Sequence, residues 1–339
     1  MKLATYRDGS RDGVLVVVSR DLREAHYATH AADRLQQALD DWNYIGPQLQ
    51  DVYDALNAGR AREAFPFEPA RCMAPLPRAA QWVEGCAFPR QEARVRMALP
   101  AGAIPSDAAP LLFQGASDDF RGACAPVRCP AEAGADFGAG LAAITADLPM
   151  GCSAERALQG IRLLALTNSI CLRTIEEWEL ARGMGVLLAR VATVFSPVAL
   201  TPDELGEGWR EGRVHGTLQV DWNGRRVGMC DVGSDMRWGL HELLAHVCRT
   251  RTLRAGSVMG SGAASNRDNR KGYACVADRR MSEALEQGEA MTAWPVPGDS
   301  VRIEMKGRDG RSLFGAIDQV LAGPEGQGEA DADEDSAAS

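Results

Sequence analysis

The sequence has no long hydrophobic run. Nowhere in its 339 residues is there a stretch approaching the roughly 18 uncharged apolar residues that a membrane span needs. Its polar start, MKLATYRDGSRDG, also lacks the apolar segment of a signal peptide. We therefore expect a cytoplasmic protein with no membrane partner.

The chain has no excess of basic residues either. Lys plus Arg is 37 and Asp plus Glu is 46, which gives a formal net charge of −9. A negative chain is a poor partner for phosphate backbones, so we expect no nucleic-acid partner. Six of the acids lie in residues 323–339, which hold no basic residue and are expected to form a disordered acidic tail: Glu325, Glu329, Asp331, Asp333, Glu334 and Asp335.

Paired metal-binding motifs are missing. The nine cysteines include no CxxC pair, so reduced thiols are expected and a structural zinc site is not. His241 and His246 are five residues apart, whereas two ligands on one helix face need a spacing of four. His26 and His30 have that spacing, but no further ligand is convincingly placed near them.

Several enzyme signatures are also absent. The sequence has no glycine-rich phosphate loop, no βαβ periodicity, no internal repeat and no GxSxG elbow. Nucleotide-binding folds and serine hydrolases are therefore disfavoured.

What is present indicates a β-rich α+β protein. Residues 14–19 predict the first strand, in an N-terminal sheet with turns at residues 8–9 and 12–13. Residues 31–56 read as helix interrupted at Gly46-Pro47, and residues 161–181 and 236–251 also read as helical. Asn223-Gly224 and Asp309-Gly310 predict hairpins within residues 218–229 and 301–317.

A Pro-rich segment at residues 65–81 suggests a domain boundary near residues 70–76. We expect a small N-terminal domain over residues 1–72, a larger domain over residues 73–322, and the tail over residues 323–339.

Six segments together resemble the fumarylacetoacetate hydrolase family. They are PLPRAAQW (75–82), LLFQGASDDFRG (111–122), ADFGAGLAAITADLPMG (135–151), VFSPVALTPDELG (194–206), VMGSGAASN (258–266) and RIEMKGRDGRSLFGAIDQ (302–319). The resemblance runs in order through residues 1–322. It implies the bacterial two-domain architecture, with a small N-terminal β domain and a larger C-terminal mixed β-roll. It also implies a homodimer and a pocket that opens in the C-terminal domain.

Family members hold Mg²⁺, Mn²⁺ or Ca²⁺ with four carboxylates, and the metal polarises a 2-oxo or 1,3-dicarbonyl group. By this resemblance, the four ligand positions fall on Glu84, Gly138, Gly140 and Ser169. Only one of them is still a carboxylate, so the sequence predicts that the metal site is lost and that no metal cofactor is bound.

The other positions of the family's site have changed as well. The catalytic His falls on Gln91, and the Glu that orients it falls on Asp278. The pocket Lys falls on Arg190, while Asn168 and Arg173 are unaltered. Two further substrate-contacting positions have each lost a hydroxyl, at Phe113 and Ala263.

These changes predict a wider, less acidic and more apolar pocket, suited to a bulky organic ligand. Gln91, Phe113, Gly138, Gly140, Ser169 and Ala263 are the expected substrate-binding positions.

Three functions stay open. The first is a metal-independent isomerase, cyclase or lyase that uses Arg173 and Arg190 as fixed cations and Glu84 and Asp278 as acid–base groups. Within it, Cys86 or Cys171 could be a nucleophile if a cation lowered its pKa.

The second is a hydrolase or decarboxylase that still binds a metal through Glu84, Asp136 and Asp278. The third is a non-catalytic ligand carrier, regulator or partner subunit.

Overall fold

A computed structural model describes residues 1–100, 109–130, 132–183 and 185–324. Its helices are α1 (Leu35–Asp40), α2 (Trp42–Asn57), α3 (Pro89–Ala98), α4 (Ala154–Gly160), α5 (Arg173–Ala181), α6 (Leu240–Val247) and α7 (Val276–Gln287). Its strands are β1 (Lys2–Tyr6), β2 (Val14–Val18), β3 (Glu24–Tyr27), β4 (Phe65–Pro66), β5 (Gln81–Gly85), β6 (Leu112–Gln114), β7 (Phe120–Arg121), β8 (Val127–Arg128), β9 (Ala135–Asp136), β10 (Ala139–Thr145), β11 (Ile161–Leu172), β12 (Arg190–Phe195), β13 (Ala199–Leu200), β14 (Trp209–Arg210), β15 (Arg213–Val214), β16 (Thr217–Trp222), β17 (Arg225–Asp231), β18 (Ser257–Ala263), β19 (Ser300–Met305) and β20 (Ile317–Ala322).

Most strands join one 13-stranded mixed sheet, whose main path is β4-β3-β2-β1-β13-β11-β10-β18-β5-β6. The N-terminal strands enter it where Lys2 and Leu3 of β1 pair with Leu200 and Ala199 of β13. A second sheet has the order β17-β16-β19-β20-β8. The β-rich α+β architecture with a small N-terminal domain and a larger C-terminal domain is therefore confirmed.

The central strand β11 corrects one sequence prediction. Residues 161–181 read as helix, but Ile161–Leu172 is a strand and the helix α5 starts only at Arg173. β11 pairs with β10, β12, β13 and β9, and all its residues except Arg162 are buried. A strand buried on both faces gives a continuous apolar run, which periodicity cannot distinguish from a buried helix.

The helix predicted for residues 31–56 is interrupted at a different residue from the one that the sequence indicated. It breaks at Asp41, between α1 and α2, and not at Gly46-Pro47. Pro47 lies inside α2 and removes one helical hydrogen bond. Gly46 has no Cβ to clash with the proline ring, which lets the helix continue.

The two predicted hairpins differ in their turns. Asn223 and Gly224 have φ of 51° and 71° and join β16 directly to β17, which confirms that hairpin. Asp309-Gly310 forms a smaller turn within a longer connection between β19 and β20. In this turn the N–H of Gly307 donates to the carbonyl of Arg311 at 2.8 Å.

The helix predicted for residues 236–251 is shorter in the structure and covers only α6. A further strand, β1, precedes the predicted first strand.

The side chains singled out for thiol or metal chemistry are mostly internal. All nine cysteines have free thiols and seven are buried. The rings of His26 and His30 lie 6.4 Å apart, and no cluster of three or more His, Cys, Asp or Glu able to hold a metal occurs in the described ranges.

No helix in the described part of the chain combines the length and the hydrophobicity needed to cross a membrane. Of the expected acidic tail, residues 325–339 lie outside the described residues.

Candidate active site

The strands of the large sheet bring several predicted site residues together. Glu84 of β5 is in register with Phe113 of β6, and Gly140 of β10 is in register with Ala263 of β18. Ser169 lies on β11, where its N–H donates to the carbonyl of Gly138 at 3.0 Å. The remaining predicted residues come from helices and one strand end: Gln91 (α3), Arg173 (α5), Arg190 (β12) and Asp278 (α7).

A buried ion-pair network runs through this region. Arg190 contacts Glu84 at 2.7 Å and Glu176 at 3.3 Å. Arg173 contacts Glu176 at 2.6 Å and Asp136 at 2.8 Å. The Phe113 ring centroid lies 5.6 Å from the Arg190 guanidinium carbon. Two predicted catalytic arginines and one predicted carboxylate are therefore joined in one network.

Arg94 links the network to the fourth predicted catalytic residue. It contacts Glu176 at 3.6 Å and Asp278 at 3.2 Å. Arg94 is three residues after Gln91 on α3, so both lie on the same side of that helix. We call the seven residues Glu84, Arg94, Asp136, Arg173, Glu176, Arg190 and Asp278 the central network.

Glu176 and Arg94 were missed by the sequence interpretation. Glu176 follows Arg173 by three residues at the start of α5, a helical spacing that allows an ion pair and could have indicated it. Asp136 was considered only as a possible metal ligand. Its carboxylate instead accepts hydrogen bonds from Arg173 and from the first two N–H groups of α7, at Val276 and Ala277.

Two members of the central network, Glu176 and Arg190, are fixed charges. Burial alone would raise the pKa of Glu176, but Arg173, Arg190 and Arg94 hold it well below its usual value. Burial opposes the charge on Arg190, yet Glu84 and Glu176 outweigh it and raise the pKa of that guanidinium. Glu176 and Arg190 are therefore held in their charged forms near neutral pH, where they supply charge without exchanging protons.

Four of the predicted site residues hold a buried polar atom without a hydrogen-bond partner in the described protein. They are the Gln91 Oε1, Ser169 Oγ, Arg190 Nε and Asp278 Oδ2 atoms. Buried polar atoms are nearly always hydrogen-bonded, so such atoms at one site call for a ligand or water. Asp278 is the one carboxylate among these four side chains.

The two cysteines considered as nucleophiles are inert. Burial raises the pKa of Cys86 to about 12, although Arg94 and Arg190 oppose it. Burial likewise raises the pKa of Cys171 to about 12. The thiolate is the reactive form, so neither is a nucleophile at neutral pH.

An open cleft of about 630 Å³ borders the central network. Arg94, Arg173 and Glu176 form its charged wall, and its apolar wall includes Met97, Leu180, Met281 and Trp294. Of the ten predicted site residues, all of which the structure describes, Arg173 alone lines this cleft. Phe113 lines a different cleft beside His246, and Asp278 lines a narrow pocket beside Ser265.

Comparisons with known proteins identify the family. Residues 81–321 match the model for the fumarylacetoacetate (FAA) hydrolase C-terminal domain, and residues 1–78 match that for fumarylacetoacetase N-terminal domain 2. Because the first match covers more than half of the chain, this protein belongs to the fumarylacetoacetate hydrolase family. No curated protein matches it.

Solved structures agree on the fold. Maleylpyruvate hydrolase from Sphingobium sp. SYK-6, in complex with manganese(II) and pyruvate, has a TM-score of 0.63 at 14% identity, covering 96% of this chain and 100% of that one. Fumarylacetoacetate hydrolase from Exiguobacterium antarcticum has a TM-score of 0.60 at 17% identity, with the same coverage. A 2-hydroxyhepta-2,4-diene-1,7-dioate isomerase from Mycobacterium marinum reaches 0.52 at 16% identity, covering 79% and 83%.

Proposed function

We propose that this protein is a metal-independent enzyme that rearranges a carboxylate-bearing organic compound by proton transfer, as an isomerase, cyclase or lyase. The observation that carries the proposal is the juxtaposition of permanently charged arginines with the unpartnered Asp278 Oδ2 atom. The apolar wall of the bordering cleft suits a bulky substrate body.

The residues present do not fit the family's divalent cation. Of the four ligand positions implied by the resemblance, only Glu84 carries a carboxylate, and it is bound to Arg190 at 2.7 Å. A Mg²⁺ ion gives up its water reluctantly and needs several anionic oxygens in return. One carboxylate already paired with a cation does not meet that need.

The backbone at two of these positions supports the same proposal. A Cβ atom at Gly138 would lie 2.8 Å from the carbonyl oxygen of Ser169. A Cβ atom at Gly140 would collide with the carbonyl oxygen of Gly262. Side chains of any kind are therefore excluded here unless the strands separate.

Arg94 and Arg173, which face the cleft, would bind the substrate carboxylate and stabilise an enolate that forms when a carbon-bound proton leaves. Fixed charges do this without reorganisation, which makes them effective in a water-poor site. Asp278 is the candidate acid–base group, because its Oδ1 is held by Arg94 and its Oδ2 has no hydrogen-bond partner in the described protein. Asp278 lines the narrow pocket beside Ser265, so the substrate would have to extend from the cleft towards that pocket. Gln91 would position the substrate, because an amide does not accept a proton near neutral pH.

A second candidate is a non-catalytic ligand carrier. It is favoured by the saturation of the network, in which each arginine already contacts at least one carboxylate. A site with fully neutralised cations can bind a ligand through the cleft and still lack chemistry.

Metal dependence is tested by calorimetric titration of Mg²⁺ and Mn²⁺ into chelator-treated protein. We expect no stoichiometric binding of either ion. Saturable binding in the micromolar range would overturn the metal-independent reading and favour the hydrolase or decarboxylase instead.

Catalysis is tested by NMR detection of deuterium exchange at the carbon next to the carbonyl of 2-oxo acids with aromatic or alkyl substituents. In chelator-treated protein we expect exchange that drops at least about tenfold in Asp278→Asn. Asp51→Asn, an exposed carboxylate on α2, is the matched control. Binding of these acids without exchange would favour the carrier.

We also propose that the protein forms a homodimer, as the resemblance implies. The Glu179 carboxylate accepts the N–H groups of Leu187, Leu188 and Ala189 at 2.9–3.0 Å, which fixes a loop whose two leucine side chains are 76% and 58% exposed. Exposed apolar side chains on a fixed loop suit an interface. Sedimentation equilibrium should give a dimer that Leu187→Ser weakens, and a monomer at all concentrations would overturn this.

A further inference from the structure

A second cleft, with a volume of about 700 Å³, includes Lys2 of β1 in its lining. It is formed by β1, the turn after β2, residues 204–219 and the connection between β19 and β20. In the described chain it shares no lining residue with the central network or with the cleft beside that network.

The lining of this cleft is positively charged although the protein is acidic. Six basic and three acidic side chains line it, a net of +3, whereas the whole chain carries −9. The basic residues are Lys2, Arg20, Arg210, Lys306, Arg308 and Arg311, and the acidic ones are Glu204, Glu207 and Asp309.

Each acidic residue of the lining is already paired. Glu204 contacts Arg20 at 3.5 Å and Glu207 contacts Arg308 at 3.3 Å. Asp309 contacts Arg311 at 3.9 Å. Among the residues that the structure describes, Arg210 and Lys2 are left with no carboxylate within ion-pair distance.

Lys2 is the unusual cation of this group, because it is only 2% exposed. Its Nζ donates to the carbonyl oxygens of Arg20 and Ser312 at 2.8 and 3.5 Å. An ammonium group has three donors, so one stays free. Burial lowers the pKa of Lys2 to about 8, and Glu204 and Asp309 only partly oppose this. A buried charge without a paired counterion is costly, and a bound anion would offset that cost.

Two further features suit a bound anion. The Oγ atom of Ser312 is buried in the cleft without a hydrogen-bond partner in the described protein. The apolar side chains of Leu205, Val214, Met305 and Leu313 also line the cleft, so a ligand with an apolar body can be accommodated.

We propose that this cleft is a second ligand site, which binds a small organic anion through Lys2, Arg210 and the Ser312 hydroxyl. The anionic head is a carboxylate or a phosphate, and the apolar residues contact the remainder of the ligand. This proposal does not depend on the function proposed for the central network.

Binding is tested by calorimetry at pH 7 with benzoate, phenyl phosphate and inorganic phosphate. We expect saturable binding of one organic anion, and the preferred head group decides between a carboxylate and a phosphate ligand. Lys2→Met should weaken it about tenfold or more and Arg210→Gln about threefold or more, because charge-assisted hydrogen bonds are lost. Arg254→Gln, an exposed arginine outside the cleft, should change nothing. Absence of saturable binding, or binding unaffected by Lys2→Met, would overturn the proposal.

A second measurement does not depend on the variants folding. The chain has only three lysines, Lys2, Lys271 and Lys306, so amine labelling can be followed residue by residue with tandem mass spectrometry. The preferred anion should protect Lys2 and leave Lys271 unprotected. Equal labelling of Lys2 with and without the anion would contradict the proposal.

Discussion

The central network and the second cleft, which Lys2 lines and which we call the Lys2 cleft, bury cations in two different ways. In the network, Arg94, Arg173 and Arg190 each contact at least one carboxylate within 3.6 Å. In the cleft, the hydrogen bonds that the Lys2 ammonium makes to described residues all go to carbonyl oxygens. The two cations therefore have pKa values shifted in opposite directions. The pKa of Arg190 is raised by its carboxylate partners, whereas burial lowers the pKa of Lys2 to about 8.

The two sites differ in where the stabilisation of the buried charge comes from. Desolvation of a charge must be offset by partners, and the network contains these partners within the fold. The Lys2 cleft lacks a carboxylate partner for its buried cation, so an external anion can supply it. Arginine suits the first arrangement because its planar group serves several carboxylates at once, and lysine suits the second because its ammonium is a compact charge with three donors.

The largest expected effect comes from breaking the network at its centre. Glu176→Gln removes the carboxylate that contacts all three arginines and should lower the free energy of unfolding by about 3–5 kcal/mol. Urea denaturation measures this. Glu177→Gln, at the exposed neighbouring position, should stay within about 0.5 kcal/mol of wild type. Equal losses in both variants would mean that the network contributes nothing specific.

The next effect is the pH dependence that Lys2 contributes. Its pKa is about 8 in the folded protein and 10.5 for an ordinary lysine, so between these pH values the unfolded chain binds more protons at Lys2. The contribution of Lys2 to the unfolding free energy should therefore rise by up to roughly 3 kcal/mol over this range, while the buried cysteines with raised pKa values act in the opposite direction. The charged groups that act on Lys2 are Glu204, Arg20, Asp309 and Asp21.

Denaturation of wild type and Lys2→Met across this pH range isolates the contribution of Lys2. The difference in unfolding free energy between wild type and Lys2→Met should change by this amount across the range. The difference between wild type and Lys271→Met, which removes a partly exposed lysine paired with Asp231, should stay constant. An identical pH profile for wild type and Lys2→Met would show that the buried ammonium is not destabilised.

A smaller effect is expected at the edge of the network. Glu84→Gln removes one of the two carboxylates that contact Arg190, and Glu176 still neutralises that arginine. The loss in unfolding free energy should be about 2 kcal/mol. A loss as large as that of Glu176→Gln would indicate that the two carboxylates act as one unit, which a double-mutant cycle would measure.

The smallest effect on stability is expected in the Lys2 cleft. Arg210 is exposed and has no ion pair within the described ranges, so Arg210→Gln should change the unfolding free energy by less than about 0.5 kcal/mol. The same variant should weaken anion binding, as described above. A clear loss of stability would mean that Arg210 has a structural role.

The sequence predicted local turns better than long-range pairing. Asn223-Gly224 encodes its hairpin through two positive φ angles, which depend on those two residues. The identity of Ile161–Leu172 as a strand depends on four partner strands elsewhere in the chain, which no local pattern contains. The same limit applies to α2, where tertiary burial of Leu49 and Tyr53 supports a helix across Pro47.

The candidate site was predicted in part. Glu84, Arg173, Arg190 and Asp278 are brought into one network, although the contribution of Glu176 depends on contacts from three different elements. The expected wide apolar pocket was inferred from lost side chains. The structure places Arg94, Arg173 and Glu176 of the central network in the wall of the bordering cleft. Comparing one sequence position at a time with the family's site does not reveal this charged wall.

Gly138 and Gly140 limit how this protein can change. Because neighbouring backbone carbonyls occupy the space of the missing Cβ atoms, a single substitution to glutamate would meet a clash before it could contribute any new ligand. A designer who wishes to install a four-carboxylate site would have to re-space the strands first. Substitution of either glycine by a residue with a side chain therefore requires other changes in the neighbouring strands at the same time.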